Sequence, residues 1–220
     1  MIPDKFLSVV TNESSRTRND LNELEPDKAL IKFYARHDQV VTAVLTHSDK
    51  NIACQAGCSY CCYFKIEVKP LEIIAIADHL KKTFPPEKID AVVKKAKDNI
   101  AEFDQLDYSQ QVSTNQPCPF LLEDQCSIYN LRPTKCRNAH AMDASLCQAC
   151  FDNPADTSIP SSYHKQLHLA VNGLTRGFES ALEEQNYDTN AYDINAIFIA
   201  AFENPKFKKR FIKGKKTLIK

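Results

Sequence analysis

The sequence predicts a mainly α-helical protein: a single helical domain with a small β-hairpin and irregular cysteine-rich metal-binding loops. Three observations predict it. Apolar residues recur at helical spacing in five separate stretches. The 220 residues contain only four glycines, at positions 57, 173, 177 and 214. Nine cysteines fall between the helical stretches, four of them within residues 54–62.

The elements follow in order. Residues 1–26 are polar and weakly patterned, and read as an N-terminal arm. Asp27 suits a cap for a first helix, whose stripe of Leu30, Tyr34, His37, Val41 and Val44 runs to about residue 48. The cysteine segment 54–62 reads as a loop, and Tyr63 to Lys69 as a short strand. Pro70 suits the first turn of a helix that buries Ile73, Ile76, Ala77 and Leu80. Pro85-Pro86 ends it and starts another, marked by Ile89, Val92, Val93, Ala96, Ile100 and Phe103. Residues 104–117 read as a polar loop. Cys118 to Tyr129 reads as a hairpin turning near Glu123-Asp124, and Arg132 to Arg137 as one helical turn. Residues 151–160 form another loop. Tyr163, Leu167, Val171, Leu174, Phe178 and Leu182 mark a long helix; Ile194, Ile197, Phe198, Ala201 and Phe202 mark the last. The domain is expected over 27–204, with its cysteine core near 50–150, and a basic tail over 205–220.

Composition excludes several classes. Isolated glycines cannot build the clustered turns that bring backbone N–H groups onto phosphate, which argues against common nucleotide-binding enzymes. The N-terminus lacks a basic segment followed by a long apolar run, and no stretch approaches eighteen apolar residues, so neither a secretory signal nor a transmembrane segment is expected. A cytoplasmic location follows as the expectation, where thiols stay reduced. An odd number of cysteines also fits a closed disulfide framework poorly. Formal charge is zero, yet residues 206–220 hold eight Lys/Arg and no acid, leaving net −8 on the rest. That balance is unlike a typical nucleic-acid-binding domain. The tail is an expected contact for an acidic partner, RNA or an anionic membrane, weighed against a solvated flexible tail.

Thiols at spacings of two and three residues can converge on one soft metal ion or on an iron–sulfur cluster. Cys54, Cys58, Cys61 and Cys62 supply a local group, and Cys118, Cys126 and Cys136 are available to close it. Gly57 allows the tight backbone that closely spaced ligands need. The neighbours Cys61 and Cys62 can point in different directions and serve two centres. Cys147 and Cys150 form a lone C-x-x-C, and His140, four residues after Cys136, offers a nitrogen ligand; these three are weaker candidates. His164 and His168 share a helix face without the acid of a metalloprotease pattern. Arg132 and Arg137 can offset thiolate charge from behind the ligands. Tyr60, Tyr63, Phe64 and Phe120 can shield a centre from water. Cys54-x₃-Cys58-x-Tyr-Cys61 matches the radical S-adenosylmethionine motif, but the helices and scarce glycine downstream do not fit that family's barrel.

A broader resemblance spans roughly residues 50–140. Cys54-x₃-Cys58-x₂-Cys61-Cys62, Cys118-Pro-Phe-Leu121, Cys126-Ser-Ile-Tyr129 and Arg132-Pro-x-x-Cys136-Arg137 occur in one order. That order resembles the zinc- or iron-chelating CxxCxxCC domain family, the YkgJ-like cysteine-cluster proteins. The cluster is also distantly similar to that of flagellin lysine N-methylase. The resemblance implies chelation of zinc or iron, the latter as an ion or a [4Fe–4S] cluster, and little about reaction. After Arg137 the chain departs from the family, with Asn138-Ala139-His140 in place of an aromatic residue and a proline. The expected function is a metal-binding protein. The alternatives are an iron–sulfur-dependent protein-modifying enzyme of methyltransferase type, and an interaction module with a purely structural zinc site.

Overall fold

The computed structural model describes residues 4–49, 51–55 and 57–218. Ten helices dominate the described residues. They are α1 (Asp4–Glu23), α2 (Pro26–Thr46), α3 (Pro70–Thr83), α4 (Pro86–Phe103), α5 (Tyr108–Val112), α6 (Thr134–Arg137), α7 (Ala144–Asp152), α8 (Lys165–Glu184), α9 (Ile194–Glu203) and α10 (Phe207–Ile212). Four two-residue strands complete the set: β1 (Glu67–Val68), β2 (Leu121–Leu122), β3 (Gln125–Cys126) and β4 (Tyr192–Asp193). No helix among the described residues is long and apolar enough to cross a membrane.

Local rules set the helix starts. Proline occupies the first turn of α2, α3 and α4, where its missing N–H costs nothing. Asp143 accepts from Ser145 N–H to open α7, and Asp193 Oδ1 accepts from Asn195 and Ala196 to open α9. At α8 the cap is a histidine: His164 Nδ1 accepts the Leu167 N–H at 3.2 Å. The apolar faces of α2, α3, α4, α8 and α9 meet in one core around Phe33, Ile73, Ile76, Leu80, Phe178 and Phe198. Phe33 stacks on Phe178 at 4.3 Å, joining α2 to α8.

Both chain ends depart from expectation. Residues 4–23 are a helix docked along α8, not an arm. Its buried residues include Glu13, Ser14, Thr17 and Asp20, which hydropathy reads as surface. The two acids are satisfied across the α1–α2 contact, where Arg36 pairs with Glu13 at 2.6 Å and Asp20 at 2.7 Å, and Thr17 donates to Glu13 within α1. Gly173 and Gly177 on α8 open the groove for α1. A Cβ at Gly177 would stand 2.5 Å from the Val10 carbonyl oxygen, and one at Gly173 would stand 2.9 Å from Val9 Cγ1.

The C-terminal segment is likewise folded onto the body. Phe207 and Phe211 are each 1% exposed, Phe211 stacks on Tyr187, and Asp188 Oδ2 accepts both the backbone N–H and the hydroxyl of Thr217. Lys208 pairs with Asp78 at 2.9 Å.

Two further differences place the cysteine segments. Tyr60–Tyr63 is a turn of 3-10 helix, and the strand expected over 63–69 shrinks to β1. β1 pairs antiparallel with β4, Glu67 opposite Asp193, and ties the start of α3 to the start of α9. Helices α5 and α7 fall where no helix was expected. The hairpin forms as expected: Leu121 faces Cys126, and Glu123 and Asp124 take φ of +50° and +58°, the left-handed pair a two-residue turn demands.

Candidate metal centre

Four short segments converge over the start of α9. Cys118 N–H donates to Cys62 O at 2.7 Å and Gln116 N–H to Tyr63 O at 2.8 Å, which binds the hairpin entry to the 60–63 turn. A buried amide network fixes that entry from below. Asn99 donates to Pro117 O and to Asn195 Oδ1, and Gln116 donates to Asn99 O. Cys118 to Leu121 closes a β-turn through Leu121 N–H to Cys118 O, with Pro119 at its second position. This turn leaves the Phe120 N–H free to hydrogen-bond the Cys118 sulfur. Ile128 N–H does the same two residues after Cys126.

Cys136 is carried by α6, and α6 hangs on Glu72. The Glu72 side chain is 3% exposed; its Oε1 accepts from Thr134 N–H at 2.7 Å and Thr134 Oγ1 at 2.8 Å, and its Oε2 from Lys69 N–H at 2.9 Å. Tyr34 OH reaches the same carboxylate at 3.3 Å. Sequence reasoning missed Glu72. Its visible signal was only that of a third-position cap after Pro70, and nothing local connects it to Thr134.

These segments enclose a cavity of about 280 Å³. Cys54, Cys58, Cys61, Cys62, Cys118, Cys126 and Cys136 all line it, together with His140 and Arg132. Ile66, Phe120, Ile128 and Ile194 supply apolar wall. Cys147 and Cys150 are absent from that wall and lie on α7. Phe151 of α7 packs against Tyr60 at 5.8 Å and Tyr63 at 4.9 Å, so these two rings hold α7 and do not line the cavity. Phe64 does not line it either.

Burial raises the Cys118 and Cys136 thiols well above the ordinary cysteine value, with neighbouring thiols adding to the effect. Cys61, the exposed thiol of the seven, is raised first by its hydrogen bond with Cys62. Cys54 and Cys126 are raised by burial, partly opposed by N–H donors from Ala141 and Ile128. Arg132 lies within electrostatic reach of Cys54, Cys61, Cys126 and Cys136 and favours their thiolates. Its guanidinium sits 4.1 Å over the Tyr129 ring.

Arg137 was expected beside the thiolates and is placed elsewhere. Its guanidinium is 4.0 Å over Tyr34, donates to the Arg132 and Asn130 carbonyls, and pairs with Asp38 at 2.8 Å. It shapes the turn that presents Arg132. His164 and His168 do not form a pair: His164 bonds Ser48 and Leu167, and His168 lies against the Tyr163 ring.

Among the described residues, no three or more His, Cys, Asp or Glu side chains stand ready to hold a metal ion. The sulfurs ring a cavity and do not meet at a point. The donor set nonetheless fits a thiophilic metal. Cys54, Cys118 and Cys126 each accept a backbone N–H on sulfur. A cation faces four of the thiols, and His140 Nδ1 is buried without a partner. N–H···S bonds and a nearby cation are what bound thiolates require around them.

Residues 53–156 match the model of the CxxCxxCC family, described as a putative zinc- or iron-chelating domain. All nine cysteines, Arg132 and His140 fall inside the match. No curated protein and no solved structure matches the chain. Residues 53–156 are therefore similar to the CxxCxxCC domain, and α1, α2 and α8 to α10 hold them within a larger helical body.

Proposed function

We propose that this domain chelates a [4Fe–4S] cluster through Cys61, Cys118, Cys126 and Cys136. One observation carries the reading: seven thiols ring a single cavity of about 280 Å³. A lone zinc ion draws four ligands to sulfur distances of about 2.3 Å, which leaves a cavity of this size unfilled. A cluster takes four thiolates and occupies volume of its own. The four named thiols lie within mutual electrostatic reach, through Cys61–Cys136, Cys126–Cys136 and Cys118–Cys136.

A bound cluster would supply a one-electron couple. The chain supplies the surroundings. Phe120 and Ile128 N–H groups donate to two of the sulfurs, Arg132 offsets thiolate charge, and Ile66, Phe120, Ile128 and Ile194 keep water from the buried side. Neither the protein-modifying alternative nor the interaction-module alternative gains support from this geometry.

The test is anaerobic purification followed by absorbance and elemental analysis. The expected result is a brown protein with about four iron atoms per chain, and loss of the colour in Cys118→Ser and Cys136→Ser. A colourless protein carrying zinc alone, after anaerobic reconstitution with iron and sulfide, refutes the cluster.

A further inference from the structure

A second cavity, of about 350 Å³, backs onto the metal centre. The α6 segment is the wall between them. Pro133 and Cys136 line the cysteine cavity, whereas Thr134 and Lys135 line the second one. Helix α8 supplies another wall through Asn172, Thr175 and Glu179, and the chain around β1 supplies Lys65, Glu67 and Lys69. Tyr108 and Val112 of α5, 69% and 47% exposed, form an apolar lip. Gln111 ties that lip down by donating to the Phe103 and Leu106 carbonyls. At a share of about 30 Å³ each, the space suits on the order of ten non-hydrogen atoms. That is the lower end of small-ligand pockets.

The charges around this cavity are unevenly committed. Lys65 is taken by Asp193 at 3.0 Å. Glu72 and Glu179 lie within electrostatic reach of each other, and Lys69 is the cation between them. Its ammonium pairs with Glu179 at 3.3 Å and donates to the Thr189 carbonyl at 2.8 Å, while Glu72 takes only its backbone N–H. Arg176 stands 4.0 Å from Glu179 but is held by Glu183 at 2.9 Å. The inner wall therefore holds more carboxylate than cation. Burial pushes the Glu179 carboxyl up, Lys69 opposes this, and Glu72 adds to it. A second cation at Glu179 would relieve that cost. Lys135 and Glu67 are both exposed, and among the described residues neither side chain has an ion pair or hydrogen bond.

Polar acceptors stand on the same α8 wall. Asn138 donates to Asn172 Oδ1 at 3.4 Å and to Thr175 Oγ1 at 3.1 Å. One shared, long donor leaves both oxygens able to accept again. With Glu179 they offer three acceptors, the number of donors on an ammonium group.

We propose that this cavity binds a small amino-carboxylate, a molecule of the amino-acid class. Its ammonium sits at Glu179 with Asn172 and Thr175, its carboxylate at Lys135, and its carbon chain against the Tyr108–Val112 lip. An anion alone meets two carboxylates on the inner wall, and an amine alone leaves Lys135 unmatched. The inference does not depend on which metal the cysteines hold.

Calorimetry on the full-length protein, prepared anaerobically with its metal, tests the proposal. The probes are the standard amino acids, one at a time. Butylamine and butyrate, each with only one of the two charges, are the controls. At least one amino acid should bind with a Kd below about 1 mM, and both controls at least about 10-fold more weakly. Lys135→Ala and Glu179→Gln should each weaken that binding by about 10-fold or more, the loss of one charge-assisted hydrogen bond. Lys135 is exposed and unpaired, so its substitution still decides the matter should Glu179→Gln fail to fold. No binding by any amino acid at about 10 mM overturns the proposal. Butylamine or butyrate binding as tightly as the amino acid also overturns it, as does unchanged affinity in folded Lys135→Ala or Glu179→Gln.

Discussion

Glu72→Gln tests how the helical body supports the candidate metal centre. The carboxylate receives four hydrogen bonds: three on Oε1, from Thr134 N–H, Thr134 Oγ1 and Tyr34 OH, and one on Oε2, from Lys69 N–H. Glutamine keeps the shape but holds only one acceptor oxygen. With that oxygen toward Thr134, its amide meets the Lys69 N–H as donor against donor. The loss is one hydrogen bond to a charged group, about 1.5–3 kcal/mol, and the other three weaken as the charge leaves. A total near 3 kcal/mol is expected, and for a chain of this length that lowers Tm by roughly 6–12 °C. Because Thr134 opens α6 and α6 carries Cys136, metal affinity should fall about 10- to 100-fold, as when the support of a metal ligand is removed. Thermal unfolding of the metal-loaded protein and chelator competition measure the two effects. A Tm shift with unchanged metal affinity would refute the link from Glu72 to Cys136. No change in either would refute the whole argument.

Gly177→Ala should destabilise the protein despite the higher helix propensity of alanine. The added methyl meets the Val10 carbonyl oxygen at 2.5 Å and Glu13 Cβ at 2.8 Å, and overpacking of about 1–3 kcal/mol outweighs a propensity gain of about 1 kcal/mol. A rise in the urea midpoint would contradict this. Phe211→Ala should cost about 3–5 kcal/mol and expose the C-terminal segment to limited proteolysis; a tail as resistant as wild type would mean that Phe211 does not anchor it. In the metal-free protein, burial and then His37 lower the His140 pKa to about 4. The unfolded ring titrates near 6.5, so between those values the unfolded state binds the extra proton. Stability should therefore fall as pH drops from about 6.5 to 4, by at most about 3 kcal/mol, and His140→Ala should flatten that limb of a denaturation-versus-pH series. Because burial keeps the Cys118 and Cys136 thiols protonated near neutral pH, metal loading should release protons and tighten as pH rises. Calorimetry in two buffers of different ionisation enthalpy would show this, and a buffer-independent heat would count against it.

Much of this protein was legible because it is local. Pro70 and Pro86 mark helix starts, the apolar stripes of α2, α3, α4, α8 and α9 mark buried faces, and Glu123-Asp124 marks the hairpin turn; each depends on neighbours within a few residues. The same holds for the cysteine submotifs and for the family match that contains them. What stayed hidden is satisfied across long stretches of chain. α1 reads as a polar arm because Glu13 and Asp20 find Arg36 only after two helices pack, and because the signal for its groove, Gly173 and Gly177, lies more than 150 residues away. The tail reads as a solvated basic run because two buried phenylalanines and one aspartate anchor it while its lysines point outward. By itself the sequence determined which atoms are available for a soft metal and the short turns that present them. The tertiary structure decided that seven of those thiols share one cavity, that Arg132 faces them while Arg137 does not, and that Glu72 holds Cys136 from behind. The physical reason is that spacing constrains only near neighbours along the chain. Convergence of distant thiols is set by the burial and hydrogen bonding of residues that carry no metal signature at all.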